Sequence, residues 1–131
     1  MNMKTVEKFT ATITLGKIIG YTDKEYSTKE LYSTLQKHQK SRIKESNVYL
    51  STFVHKGDIV MSGQIEPHYR LEFINYPRFT LSENVFKDEV MRLGKHLMTS
   101  FKQNRLVINF HNDVVMLEEN QSIDPKILMN A

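Results

Sequence analysis

Phe86, Val90, Leu93, Leu97 and Phe101 recur at steps of four, three, four and four. Only a helix with a single apolar stripe brings such positions to one side. The spacing therefore predicts a helix from about residue 80 to 101 lying on a core, and the rest of the chain must supply the surface beneath it. Thr80 and Glu83 have capping-box spacing at its start, with Ser82 as the other candidate cap. Met91 and Met98 flank the stripe.

The period changes to two elsewhere. Between Val6 and Leu15 the residues Phe9, Ala11, Ile13 and Leu15 alternate with Lys8, Thr10, Thr12 and Thr14, the pattern of a half-buried strand. Val48, Leu50 and Val54 alternate with Tyr49, Ser51, Phe53 and His55, which predicts a second strand. Lys56-Gly57-Asp58 reads as a turn, followed by a third strand from Ile59 to about Ile65. Pro67 lacks an N–H for a ladder and reads as a break or bulge. Alternation resumes at Tyr69, Leu71 and Phe73 and ends at Pro77. Leu106, Ile108 and Phe110 form a further strand, Asn112-Asp113 a turn, and Val114 to Leu117 a hairpin partner. A second helix is expected from Ser27 to about Lys44, because Ser27 and Glu30 have capping-box spacing and Leu31 and Leu35 face one way. Its last turns carry Lys37, Lys40, Arg42 and Lys44, which match the negative end of the helix dipole.

The chain has 131 residues, enough for one domain and short for two. Residues 1–118 read as that domain, and the polar stretch 119–131, with its Asp124-Pro125 break, as a flexible tail. The element order resembles the β-α-β-β-α-β pattern of ferredoxin-like folds: an α+β protein with an antiparallel sheet, two helices on one face, and an extra C-terminal hairpin strand. That resemblance lies in order alone and implies no particular function. The absence of cysteine rules out disulfides, thiolate metal sites and cysteine nucleophiles. A net charge of +3, with acidic residues interspersed throughout, is too mild for a dedicated nucleic-acid binder. Met1 to Phe9 lacks the apolar run of a secretory signal, and no stretch approaches the ~20 apolar residues of a membrane span. The expectation is an intracellular, cytoplasmic protein, and its wealth of Lys, Asn and Ile suggests a bacterial or phage source.

If the odd residues of the first strand face the helices, the even ones face away. Extending this to each strand collects a second face: Thr10, Thr12, Thr14; Tyr49, Phe53, His55; Glu66, His68, Arg70, Glu72; and Arg105, Val107, Asn109, His111. Three of the five histidines share it. His68 or His111 could act as acid or base, oriented by Glu72 or Glu66. Arg70 and Arg105 could clamp a carboxylate or phosphate, with His55 and Tyr49 as further ligand contacts. An antiparallel sheet also keeps one face wet for solubility alone. His38 and His96 fall on helices and are assigned no chemistry. Tyr76-Pro77-Arg78-Phe79 reads as a Pro-terminated strand entering a helix cap.

None of the nucleotide-binding, hydrolase, metalloprotease or calcium-binding loop motifs occurs. The leading expectation is therefore a small non-catalytic binding or assembly module, a homo-oligomer through the open sheet face, with no cofactor and no metal. The alternative is an enzyme acting on a small anionic substrate, with a His/Glu acid–base pair and an Arg clamp. A second alternative is weak nucleic-acid binding through the basic end of the first helix, with Tyr49 and Phe53 stacking on bases.

Overall fold

The strand predicted first becomes the centre of the sheet. In the computed structural model, which describes residues 1–124 and 127, β1 (Thr10–Gly16) is followed by α1 (Thr28–Ser46), β2 (Phe53–Met61), β3 (Gln64–Ile74), α2 (Glu83–Ser100), β4 (Arg105–Phe110) and β5 (Val114–Glu118). The five strands lie in the order β2-β3-β1-β4-β5, and every pairing is antiparallel. Without β5 this is the ferredoxin-like order, and β5 adds the expected C-terminal hairpin strand. Ala11, Ile13 and Leu15, with Tyr69, Leu71, Phe73, Leu106 and Ile108, form one apolar face. Leu31 and Leu35 of α1 and the whole Phe86–Val90–Leu93–Leu97–Phe101 stripe pack on it. Gly94 lets α2 come close to β4: a Cβ there would lie 3.1 Å from Ile108 Cδ1 and 3.2 Å from Leu106 Cδ2.

Local capping determines where the helices start. Ser27 accepts from the Glu30 amide (3.1 Å) while Glu30 accepts from the Ser27 amide (2.8 Å), the complete capping box. For α2 the cap is Ser82, which accepts from the Val85 amide, and Thr80 precedes it.

Two expectations about the middle of the chain are corrected. Lys56-Gly57-Asp58 is not a turn, because β2 runs straight through it, paired residue for residue with β3 from Phe53↔Glu72 to Met61↔Gln64. The turn is Ser62-Gly63, where Gly63 takes φ 80°, the left-handed region open to glycine at no steric cost. Pro67 does not break β3 either. Its carbonyl accepts from Lys17 N, so its nitrogen also faces that side, where β1 has already ended at Gly16↔His68. No ladder bond is lost there. Three short strands are thus one long hairpin.

The strand expected from Val48 begins only at Phe53. Asn47 turns the chain at the end of α1 with φ 55°, Val48 is buried and Leu50 packs against the core. Residues 47–52 climb from helix to sheet and make no ladder. Residues 119–124 run back past the start of β4: Glu119 N donates to Asn104 O (2.9 Å) and Gln64 Nε2 to Asp124 Oδ2 (2.6 Å). The expected tail's residues 125, 126 and 128–131, including the Asp-Pro break, lie outside the described residues. Among the described residues no helix is long and apolar enough to cross a membrane.

Candidate functional site

The face turned away from the helices is organised in cross-strand rows. Phe53, Glu72 and Thr12 form one row; His55, Arg70 and Thr14 the next; Gly57, His68 and Gly16 the third. The third row has a glycine on each side of His68. At Gly57 nothing lies within 4 Å of where a Cβ would stand. At Gly16 the corresponding space is filled by Gln103, so it is the missing side chain at Gly57 that opens a groove of about 350 Å³, lined by Thr14, His55, Lys56, Gly57, Asp58, Ile59, His68, Tyr69, Arg70 and Glu72. This is within the size range of small-molecule sites, ~300–1,000 Å³.

Charge in the groove is unevenly spent. His55 Nε2 is 3.2 Å from Glu72 Oε2, both side chains being nearly half exposed. The His55 ring also lies against Phe53, centroids 4.5 Å apart. His68 Nδ1 donates to the Glu66 carbonyl at 3.1 Å, which leaves Nε2 for a ligand. Arg70 stands between these groups, and its guanidinium has no ion pair or hydrogen bond among the described residues. Glu72 is two residues along the same strand, ~6.6–6.8 Å away. An unneutralised guanidinium beside a carboxylate suits a ligand that carries both signs of charge, and Arg can hold a carboxylate bidentately.

Four of the seven residues singled out from the sequence, His55, His68, Arg70 and Glu72, therefore meet in one groove. The other three do not. Arg105 pairs with Glu118 on β5 and also donates to the Ser122 carbonyl, so its charge is committed at the far edge of the sheet. His111 lies beyond the end of β4, where its Nε2 is 3.1 Å from Glu83 Oε1 at the start of α2 and its ring packs on Phe9. Tyr49 precedes β2 and stacks on Phe79, centroids 4.6 Å apart. Lys56, Gly57 and Asp58 were missed because they were read as a turn, and Ile59 because it was read as the start of a separate strand. The signal that could have found them is that Phe53, His55, Gly57 and Ile59 continue period two, with Ser62-Gly63 as a second turn dipeptide. Among the described residues no group of three or more His, Asp or Glu side chains could hold a metal ion. At the basic end of α1, Arg42 is committed within the fold, its Nε and Nη2 donating to Glu89 Oε1 and Oε2 at 2.7 and 2.8 Å.

No protein-family model matches the chain, and no curated protein is significantly similar to it. Two solved structures are similar in fold. One is a phage SAM lyase in complex with S-methyl-5'-thioadenosine, 22% identical, with a TM-score of 0.66 over 90% of this chain and 95% of that one. The other is a phage SAM lyase in its apo state, 20% identical, with a TM-score of 0.67 over 94% of this chain and 100% of that one. At these identities the likeness establishes the fold. Both neighbours are enzymes, and one holds a small-molecule ligand. That overturns the expectation of a non-catalytic binding or assembly module and favours the enzyme alternative.

Proposed function

We propose that this chain is a lyase that cleaves S-adenosylmethionine and releases S-methyl-5'-thioadenosine. The observation that carries the reading is the likeness to phage SAM lyases over nine-tenths or more of both chains. The groove on the open sheet face supports it. The substrate is not the small anion first expected. It carries a sulfonium, an ammonium and a carboxylate, and Arg70 beside Glu72 offers partners for both signs.

The bond that must break joins sulfur to the γ-carbon of the methionine part, and both its electrons go to sulfur. The leaving group is a neutral thioether, so no acid is needed to help it depart. Without water, the four-carbon fragment can be satisfied in two ways. A base can take a β-proton and leave a double bond, or the substrate's own carboxylate oxygen can close on the γ-carbon as a five-membered lactone. His55 and Glu72 are nearly half exposed, a poor setting for a base against a carbon acid. Ring closure asks only for orientation, which can be worth several orders of magnitude in rate. In this reading Arg70 holds the carboxylate through one oxygen and leaves the other to attack. Glu72, itself held by His55, faces the ammonium. His68 lies on the groove floor as a hydrogen-bonding contact.

The test is to incubate the purified protein with S-adenosylmethionine and follow products by mass spectrometry against a protein-free control. Release of S-methyl-5'-thioadenosine with a lactone is expected. A double-bonded amino acid would overturn the ring-closure route alone. No release above the control, together with no binding of S-methyl-5'-thioadenosine by calorimetry, would overturn the function. The cytoplasmic location and the bacterial or phage source expected from the sequence accompany this reading, since S-adenosylmethionine is made and used inside cells. Self-association also belongs to it, now assigned to the β2–β3 arm. There Ile59, Val60, Met61 and Ile65 are 43, 72, 54 and 74% exposed, and light scattering at two concentrations checks it.

A further inference from the structure

α1 is anchored unevenly. Its two buried side chains, Leu31 and Leu35, both lie in its N-terminal half. From His38 onward two contacts with α2 are made by polar side chains. Arg42 donates to both oxygens of Glu89, whose side chain is only 7% exposed. One turn earlier the ring of His38 stacks on that of His96 from α2, with centroids 5.0 Å apart and planes 29° apart. Val48 and Leu50, from the segment after α1, share a small cavity with His38, Arg42, Glu89 and Leu93 and bring no charge to it.

The charged groups facing His38 are Arg42 from its own helix and Glu89, Arg92 and His96 from α2. Both Glu89 oxygens are engaged by Arg42, and Arg92 Nε stands 3.8 Å from Oε2. Arg42 Nη1 also stands 3.3 Å from Glu45 Oε2, so the carboxylates of the cluster are already spent on guanidiniums. A protonated His38 would therefore find cations beside it and no free carboxylate.

We infer that the His38–His96 contact is an acid-labile latch: with a neutral His38 ring it holds the C-terminal half of α1 on α2, and protonation of His38 releases it. Burial first, and then the neighbouring His96, holds the His38 pKa below the ordinary value of 6.5. The released form therefore binds the proton more readily than the latched form. The latch is fully effective above the ordinary imidazole value and is lost progressively as pH falls from there toward the depressed one.

The test is hydrogen exchange by mass spectrometry on the full chain at about pH 7.5 and about pH 5.5, corrected for intrinsic exchange rates. Peptides covering 36–46 are compared with those covering 86–97. In the native protein, protection of 36–46 falls several-fold at the lower pH while that of 86–97 is held. His38→Gln with His96→Gln abolishes the difference, and His96→Gln alone, at an exposed position, reduces it. Equal loss in both helices, or the same loss in the variants, would overturn the latch.

Discussion

Gly57→Val separates the groove from the fold. Gly57 lies in the interior of β2, opposite His68 and on the same side as His55. A Cβ there meets no heavy atom within 4 Å, and its φ is not in the left-handed region. A β-branched residue should therefore fit the strand better than glycine does, by about 0.5–1 kcal/mol. For a chain of this length that raises the melting temperature by about 2–6 °C. The same isopropyl group projects into the ~350 Å³ space beside Arg70 and His68. A ligand at 100 times its Kd stabilises the folded protein by about 2.7 kcal/mol. Differential scanning fluorimetry with and without S-methyl-5'-thioadenosine measures both effects together. The native protein should show the ligand-induced rise, and the variant a higher baseline with no rise. A lower baseline would refute the account of why the groove is empty. A ligand-induced rise equal to the native one would refute its assignment as the site.

Other expectations follow from single contacts. Arg70→Ala should abolish S-methyl-5'-thioadenosine release while His111→Ala leaves it unchanged, since His111 is turned toward Glu83 and Phe9; a rate assay on both decides. Glu89→Ala leaves Arg42, whose side chain is only 12% exposed, with the weaker partners Glu45 and Ser46, and should cost about 1–3 kcal/mol in urea unfolding, whereas replacing both Glu89 and Arg42 by leucine should recover part of it. Gly94→Val forces a side chain against Ile108 and Leu106 and should cost about 1–3 kcal/mol, read as a lower urea midpoint. Ser27→Ala removes half of the capping box and should cost about 1 kcal/mol, read as a lower melting temperature by circular dichroism.

The acid–base roles first given to His68 and Glu72 also change in character. In the proposed reaction a sulfonium departs without a proton, so these side chains would serve orientation and charge complementarity more than proton transfer. The groove is lined by partly exposed side chains, and under the proposed function its chemistry would be of a kind that positioning can promote. Ring closure by the substrate's own carboxylate meets that condition.

The parts of the fold legible in the sequence were those governed by nearby residues. The α2 stripe, the Ser27–Glu30 box and the alternation of β1 are each written within a few positions, because helix and strand periods and caps are local geometry. Period two also told which side of the sheet His55, His68, Arg70 and Glu72 would take. Tertiary structure alone decided the rest. Lys56-Gly57-Asp58 and Pro67 carry the local chemistry of turns, and they were drawn into one long hairpin because pairing with β3, and the end of β1 at Gly16, satisfied their backbones. Which charges stay available was decided the same way. Arg105 met Glu118 and Arg42 met Glu89 across 13 and 47 residues of chain, while Arg70 met no partner among the described residues. A sequence period specifies the direction of a side chain, but whether its charge is neutralised depends on what distant segments bring within hydrogen-bond reach.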